Sequence, residues 1–463
     1  MKWTSFLPLA LLLAVSLPAC SRKPPAETAA PPAEQTATPA PANTPAPPAA
    51  QAPAPSAEPS VTPSPAQTPE LAQESPPAVP MQTPSAETPP VPEAPSPPDA
   101  AQAQASPSPA EDPLFTPIGF FAPTSGPQAS FGLDAANGAT LAVEEINQAG
   151  GALGHPIKLI SKDTESLPEQ TTVVVTGLIN DDKVAALIGE IVTDRSLVAA
   201  RLAQASGIPM VTPGATNETV TAEGDCIFRV CYTDPFQAEV ILKLARSLDV
   251  EKAAILFDAS NPYGNGLMEV LKDGFLKHGG TMVAEESYRA GDTNFNAQLN
   301  VIRQKNPDSI FLPSYYPEAA LIIRQARQLG IDVPFLGTDG WDSAEFLNVS
   351  GRSANNCYFT SHFSTENASE RGKTFSDAYL ARFQSAPPAL AALTYDAVWL
   401  VADALRRSGS AEHAALRDAL AATRDFPGVT GNISFDQGRD PRKPAVIIRV
   451  QDGKFTYLET IQP

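Results

Sequence analysis

A single carboxylate stands between two glycines in the stretch PFLGTDGWDS, residues 334–343. The apolar residues at its start predict a buried strand that breaks at Gly337, and Asp339 follows before Gly340. Aspartate is favoured at turns and at helix N-termini, so a purely local structural role is one interpretation. The alternative is a binding role, because a carboxylate at the carboxyl end of a strand is placed to pair with a bound cation.

Motifs for common catalytic chemistries are missing from the sequence. It contains no G-x-x-x-x-G-K-[ST] phosphate loop, no G-x-S-x-G nucleophile turn and no H-E-x-x-H zinc motif. The glycines of YGNG are followed by Glu269 where a dinucleotide-binding fingerprint needs a further glycine. The 4 histidines are scattered without the spacing of a metal site. The sequence therefore predicts a protein that is not an enzyme and that uses neither a metal nor a cofactor.

Strand-like and helix-like segments alternate from about residue 114 onward. Apolar runs such as PIGFFA, IKLISKD and AAILFD predict strands, and segments such as GATLAVEEINQAGG predict the helices between them. Such alternation is typical of an α/β protein with mostly parallel sheets flanked by helices. The strands are too many for one sheet, and a second series begins near Asp234. We therefore predict two similar lobes, each a mostly parallel sheet flanked by helices, joined by a hinge.

The C-terminal part of the chain determines which residues we assign to each lobe. The last part is mostly helical and closes with AVIIRVQDGKFTYLETI, which predicts a hairpin with an Asp-Gly turn. A tail that returns to both lobes gives more than one crossing between them. The predicted first lobe comprises residues 113–233 plus 363–438, and the second comprises residues 234–362 plus 439–463.

The residues before the folded part have a different composition. Residues 1–20 combine a lysine, an apolar run and LPAC, which predicts a secretory signal ending at a lipidated Cys20. The alternative is plain secretion with an incidental cysteine. Most of the 49 prolines precede residue 113, and residues 21–112 are rich in Pro and Ala with almost no aromatic residues. We predict a disordered tether there, and a protein anchored by lipid to a membrane, in the periplasm or at the cell surface.

Charge bears on the choice of partner. The formal net charge is −19, and a large part of the acidic excess falls in the predicted tether. No basic face suited to phosphate groups is evident, so nucleic acid is not a predicted partner.

From about Thr116 to the C-terminus, the sequence resembles the leucine/isoleucine/valine-binding proteins, type I periplasmic receptors that serve ABC importers. The resemblance covers essentially all of the folded part and none of the tether. It rests on segments that follow one another in the family's order: PTSGPQASFG, GATLAVEEINQAGG, LIGEIVTDRS, GIPMVTPGATNETVT, FRVCYTDPFQA, YGNGL, GDTNFNAQL, YYPEAALIIRQARQLG, GTDGW and LTYDAV.

The resemblance implies two polar subsites for an amino acid. Hydroxyls and backbone N–H groups of one lobe would hold the ligand's α-carboxylate, at positions Thr193, Gly214, Ala215 and Thr216. The family's ammonium-binding acid falls on Asp339, whose flanking glycines allow a close approach. The binding interpretation of this acid is therefore favoured over the purely local one.

The resemblance also implies aromatic contacts. Tyr263 and Tyr315 of the second lobe would close over the ligand, and Phe131 on the first loop would cap its side-chain end. Trp341 and Tyr395 are further candidates. For all five aromatic residues, packing in the core is the alternative.

The sequence departs from the family just after Thr193, where small hydroxyl residues are common and Asp194 and Arg195 stand instead. The start of a helix favours an anion, so Thr193 is suited to bind a carboxylate, to cap a helix beginning near Asp194, or to do both. Because an acid facing the site would repel a carboxylate, we predict that Asp194 caps the helix and points away.

The function implied is that of an extracytoplasmic solute-binding lipoprotein of an ABC importer. The monomeric protein would capture an amino acid, branched-chain or otherwise apolar, by hinge closure and deliver it to a permease in the inner membrane. One alternative is a lipoprotein regulator on the same fold, of the kind that activates peptidoglycan synthases, which would bind a protein partner instead. Another alternative is a binder of amides or urea.

Overall fold

The computed structural model describes residues 114–463. The predicted secretory signal, the lipidation at Cys20 and the tether over residues 21–112 lie outside the described residues. None of the helices in the described part combines the length and the apolar character that a membrane crossing requires.

Five parallel strands form the first sheet, in the order β2-β1-β3-β4-β5. The strands are β1 Thr116–Ala122, β2 Ile157–Asp163, β3 Ala186–Ile188, β4 Met210–Thr212 and β5 Ile227–Arg229. The helices that follow the first four are α1 Ala129–Gln148, α2 Pro168–Asn180, α3 Thr193–Ser206 and α4 Thr219–Ala222. Strand β1 is almost entirely buried, as expected for a parallel strand with helices on both faces.

Helices from late in the chain complete the first lobe. They are α10 Glu370–Phe383, α11 Ala389–Ser408 and α12 His413–Ala421, and a small hairpin follows with β11 Phe426–Gly428 and β12 Gly431–Ile433. Helix α11 packs along α1. A Cβ atom on Gly138 of α1 would lie 2.0 Å from the carbonyl oxygen of Ala391, so only glycine permits this close approach.

Seven strands form the second sheet, in the order β14-β13-β10-β9-β8-β6-β7. The strands are β6 Lys252–Asp258, β7 Thr281–Tyr288, β8 Ser309–Leu312, β9 Phe335–Gly337, β10 Cys357–Ser361, β13 Ala445–Gln451 and β14 Lys454–Ile461. The helices of this lobe are α5 Asp234–Ser247, α6 Pro262–Lys277, α7 Asn296–Lys305, α8 Tyr316–Gln328 and α9 Ala344–Ser350. Short 3-10 turns occupy Asp339–Trp341, Gly351–Ala354 and Thr365–Asn367.

The second sheet is parallel from β6 to β10 and antiparallel at one edge, where β13 pairs with β10 and β14. The predicted Asp-Gly turn joins β13 to β14. Asp452 and Gly453 have φ values of 52° and 72°, which fits a two-residue hairpin turn that needs positive φ at both central positions.

The chain passes between the two sheets three times: between β5 and α5, between β10 and α10, and between β12 and β13. The predicted α/β fold with two similar lobes joined by a hinge is confirmed. Each lobe presents the carboxyl ends of its parallel strands, and the loops that leave those ends carry the site residues.

Two strands are shorter than the apolar pattern predicts. The run VAALIGEI is a strand only over Ala186–Ile188, because Gly189, at φ 136°, takes the chain out of strand geometry. The run CIFRVCYTD is a strand only over Ile227–Arg229. In both cases the apolar residues outside the strand lie in buried loops on either side of it.

Candidate ligand-binding site

The loop after β4 is held in place by Arg229, at the end of the neighbouring strand β5. The buried guanidinium donates to the carbonyl oxygens of Ala215 at 2.5 Å and Asn217 at 2.8 Å, and it pairs with Asp440 at 2.6 Å. The N–H of Ala215 donates to the Thr212 hydroxyl at 3.2 Å. The loop that carries Gly214, Ala215 and Thr216 is therefore fixed by the protein itself.

The turn after β3 is organised by a buried acid, Glu190. Its carboxylate accepts hydrogen bonds from the N–H groups of Ile191 at 2.6 Å and Val192 at 3.0 Å. It also accepts one from Arg195 Nε at 2.8 Å, and the two side chains are 0% and 3% exposed. Since Glu190 neutralises Arg195, this arginine is not a free cation for a ligand carboxylate.

Helix α3 begins at Thr193, with Val192 as its N-cap residue and no side chain capping it. The predicted capping roles of Thr193 and Asp194 are therefore wrong, and the helix starts one residue earlier than expected. Burial raises the pKa of Asp194, and the neighbouring Arg195 opposes that rise. Burial also raises the pKa of the Tyr315 phenol, and the Asp194 charge adds to this shift. The Asp194 carboxylate is thus near enough to Tyr315 for the two groups to interact, and that it points away from the ligand stays a prediction.

Two threonine hydroxyls near these loops have no partner. Thr193 and Thr216 are 1% and 0% exposed, and neither Oγ1 makes a hydrogen bond within residues 114–463. Strands β3 and β4 pair with each other, so the segments that follow them, which carry the two threonines, leave the sheet side by side. Buried hydroxyls are normally paired, and Thr193 stands at the N-terminus of α3, which favours an anion.

Asp339 opens the 3-10 turn after β9 and is 11% exposed at its side chain. Its Oδ1 accepts a hydrogen bond from the Tyr263 hydroxyl at 2.7 Å, and its Oδ2 accepts one from His362 Nε2 at 3.0 Å. Its backbone N–H donates to Gln237 Oε1 at 2.8 Å. A carboxylate has about four acceptor positions, so this one keeps capacity for a further donor.

The glycines that flank this acid are needed for close packing. A Cβ on Gly337 would lie 2.2 Å from the ring of Trp341, and one on Gly340 would lie 2.6 Å from the carbonyl oxygen of Ser314. Trp341 is fully buried and stacks on Phe346 with ring centroids 5.1 Å apart. Trp341 therefore belongs to the core of the second lobe and supports the turn from behind.

The aromatic residues Tyr263, Tyr315 and Phe131 form one group. Tyr263 and Tyr315 stack with ring centroids 4.6 Å apart and ring planes 10° apart. Phe131 meets Tyr315 edge-on at 6.2 Å and Tyr316 at 4.8 Å. The sequence predicts Phe131 on the first loop. The structure instead places it in the first turn of α1.

Hydrogen bonds join the two halves of the site. The N–H of Thr193, in the first lobe, donates to the hydroxyl of Tyr315, in the second, at 3.3 Å. Tyr316 donates to the carbonyl oxygen of Pro127 at 2.9 Å. Through the Tyr315–Tyr263 stack, Thr193 is linked to Asp339, so these four residues form one chain of contacts between the lobes.

Tyr395 lies elsewhere. Its hydroxyl donates to Glu145 at 2.5 Å, and its ring packs against Phe375. These contacts belong to the packing of α11 against α1 and α10, so Tyr395 is a core residue of the first lobe.

Three further polar residues of the site were not singled out from the sequence: His362, Gln237 and Asp234. Gln237 is fully buried, and its Oε1 accepts hydrogen bonds from the Thr360 hydroxyl at 2.7 Å and from the backbone N–H of Asp339. It donates to Asp234 Oδ1 at 3.5 Å, while Asp234 Oδ2 has no partner within residues 114–463. Burial raises the pKa of Asp234 to about 7, and the Asp339 charge adds to that rise.

Comparison with known proteins identifies relatives. Residues 116–454 match the family model for periplasmic binding proteins. A leucine-, isoleucine-, valine-, threonine- and alanine-binding protein of Pseudomonas aeruginosa is 28% identical over 324 residues, which cover 70% of this chain and 86% of the relative.

Two solved structures extend the comparison. The branched-chain amino acid transporter substrate-binding protein LivJ of Streptococcus pneumoniae, in complex with isoleucine, is 36% identical with a TM-score of 0.72 and matches 76% of this chain and 100% of its own. The leucine-binding protein LivK of Thermotoga maritima is 33% identical with a TM-score of 0.72, over 75% of this chain and 99% of its own.

Proposed function

This chain belongs to the periplasmic binding proteins, in the leucine/isoleucine/valine-binding family, and from that premise we propose that it captures an amino acid with a branched or otherwise apolar side chain. It would act as the solute receptor of an ABC importer and not as an enzyme. The relatives that bind leucine, isoleucine and valine support this ligand class.

One observation supports the proposal: a chain of contacts through Tyr315 and Tyr263 links Thr193 of the first lobe to Asp339 of the second. On the first lobe, the hydroxyls of Thr193, at the start of α3, and of Thr216, after β4, have no partner among the described residues and can donate to a carboxylate. On the second lobe, Asp339 can accept from an ammonium group. An α-amino acid carries both a carboxylate and an ammonium group, one for each side. The Gly214 and Ala215 backbone would complete the carboxylate subsite.

The aromatic group would surround the apolar end of the ligand. Tyr315 contacts both Tyr263 and Phe131, and the three rings are largely buried. Aromatic faces give apolar area, and tyrosine adds a hydroxyl at its edge. The Thr193–Tyr315 hydrogen bond crosses between the lobes, so closure of the hinge would bring these rings over the site.

The wider assignment follows the same premise. We place the first lobe at residues 113–233 plus 363–438 and the second at residues 234–362 plus 439–463, in agreement with the three passages of the chain between the sheets. We propose that the protein is a monomer held to a membrane through a lipid on Cys20, and that an inner-membrane permease takes the ligand from the closed form.

A ligand screen tests the proposal. The thermal stability of the full chain would be measured against the twenty amino acids, their amides and urea. A ligand at 100 times its dissociation constant should stabilise the folded form by about 2.7 kcal/mol, and we expect the largest shifts from leucine, isoleucine and valine. Shifts from amides or urea alone would favour that ligand class instead. A screen without any shift would contradict the receptor role and favour a regulator that binds a protein partner.

A further inference from the structure

His362 lies directly on the acid of the site. It follows β10, which pairs in parallel with β9, so the residues that follow both strands meet at one edge of the sheet. Its Nε2 is 3.0 Å from Asp339 Oδ2. Its ring lies nearly flat on Tyr232, with centroids 3.8 Å apart, and the residue is 5% exposed.

The contact fixes which nitrogen carries the proton. A carboxylate oxygen only accepts, so Nε2 carries a hydrogen and donates it to Asp339. The other nitrogen, Nδ1, is buried and has no hydrogen-bond partner within residues 114–463. A second proton would therefore go onto Nδ1 and turn the imidazole into a cation beside the carboxylate.

The charged and titratable groups around His362 come from several segments. Asp339 and Tyr232 contact it directly. Lys443, which is fully buried before β13, acts on it as a positive charge. Asp234 and Asp342 lie close enough to Asp339 for the Asp339 charge to raise their pKa values. Of these three acids, Asp339 is the one that His362 contacts by a hydrogen bond.

We propose that His362 is a positioning residue for Asp339, and that a second proton on its ring competes with the ammonium group of a bound amino acid for the Asp339 carboxylate. This inference rests on the proposed function. A neutral His362 orients the carboxylate with one N–H bond and leaves its charge available. A protonated His362 pairs with that charge, so the ligand's ammonium group loses much of its partner.

The sign of the pH dependence follows from linkage. A bound ammonium group makes a second positive charge beside Asp339 less favourable, so the free protein binds more protons than the complex, and affinity rises with pH. Burial lowers the pKa of His362 from its ordinary value of 6.5, and Asp339 opposes that shift. The loss of affinity therefore falls on the acid side of pH 6.5.

Calorimetric titration of the full chain with leucine, from about pH 8 to about pH 5, tests the inference. We expect wild-type affinity to fall about fivefold or more across this range, the lower end of usual coupling between two sites. His362→Gln keeps an N–H donor but does not titrate, so it should bind leucine at pH 8 and lose less affinity in acid. His278→Gln replaces an exposed histidine and should keep the wild-type profile.

A ligand without the ammonium group isolates the competition. The 2-hydroxy analogue of leucine has a hydroxyl in its place and stays ionised at its carboxylate over this range. Its affinity should depend on pH in the same way for wild type and for His362→Gln. The competition would be refuted if His362→Gln reduced the acid-side loss equally for leucine and for the analogue.

The wild-type protein offers a second, independent measurement. It has only 4 histidines, so the imidazole resonances can be followed by NMR with and without leucine. Saturating leucine should lower the pKa of His362. An unchanged pKa, or leucine profiles that coincide for wild type and His362→Gln, would overturn the inference while leaving the receptor role intact. If no amino acid bound at any pH, the proposed function would fail and this inference with it.

Discussion

The two sides of the candidate site differ in how far their polar groups are already paired. On the first-lobe side, the hydroxyls of Thr193 and Thr216 are buried without partners among the described residues. On the second-lobe side, the Asp339 carboxylate accepts hydrogen bonds from Tyr263 and His362, and its backbone N–H donates to Gln237. One side is an arrangement of open donors, and the other is an acceptor that the protein has already oriented.

This difference predicts how each side responds to change. A carboxylate that is already oriented needs little ordering when a ligand binds, so its charge contributes to affinity with a small entropic cost. A buried hydroxyl without a partner gains its first hydrogen bond from whatever binds there. Substitutions on the second-lobe side should therefore lower stability and affinity together, whereas those at the open hydroxyls should lower affinity alone.

The largest effect is expected from Asp339→Ala. Removing this acid would leave a bound ammonium group buried and unpaired, which costs roughly 3–5 kcal/mol. Calorimetry with leucine would measure the loss, which exceeds a hundredfold in the dissociation constant. Asp332→Ala, at an exposed position in the same lobe, is the matched control and should bind normally. Equal affinities for the two variants would remove the ammonium role from Asp339.

The next largest effect is expected at Asp234, in the pH dependence of the free energy of unfolding. The difference between an ordinary pKa of 3.8 and the value of about 7 caused by burial corresponds to roughly 4 kcal/mol. Because the folded form holds the proton more tightly, this stabilisation is complete below the unfolded pKa and is lost as pH rises through about 7. Urea unfolding across this range should therefore show wild type losing stability relative to Asp234→Asn as pH increases. A constant difference between the two proteins would contradict the raised pKa.

The fold could be predicted from sequence because its signals are local and repeated. Buried parallel strands read as short apolar runs, and the helices between them read as amphipathic segments, so each element supported the same architecture. The boundaries of β3 and β5 could not be predicted, because apolar residues continue into buried loops. In the β3 loop, the conformation depends on the side-chain contacts of Glu190.

The candidate site was predictable only where motif and chemistry coincide. Asp339 and Thr193 stand in segments that resemble a known family, whereas His362 is a single histidine after a strand, with no pattern around it. Its contact with Asp339 depends on β9 and β10 being neighbours, which is a property of the sheet order. The neutralisation of Arg195 by Glu190 likewise depends on a turn that sequence periodicity does not describe.

Thr193→Val tests the open side and should have a smaller effect. The substitution keeps the shape and removes a hydroxyl that has no partner among the described residues, so the free energy of unfolding should stay the same or rise. Affinity for leucine should fall by about 1–3 kcal/mol, because the ligand carboxylate would lose a donor. Thr172→Val, at an exposed position on α2, should leave affinity unchanged. A loss of stability without a loss of affinity would reverse the assignment of this side.

Tyr263→Phe tests the paired side and should have the smallest effect. The lost hydroxyl donates to Asp339 at 2.7 Å and accepts from the N–H of Gly340 at 3.2 Å, so its removal should cost about 1 kcal/mol of stability. Affinity should fall by a similar amount, since His362 would be the one side-chain donor left to the Asp339 carboxylate in the described part of the chain. Tyr288→Phe is the matched control, because its buried hydroxyl is bonded to Ser314 instead and should affect stability alone. If both variants lost stability and neither lost affinity, the hydroxyl of Tyr263 would serve the fold and not the orientation of Asp339, and the contrast between the two sides would reduce to the acid itself.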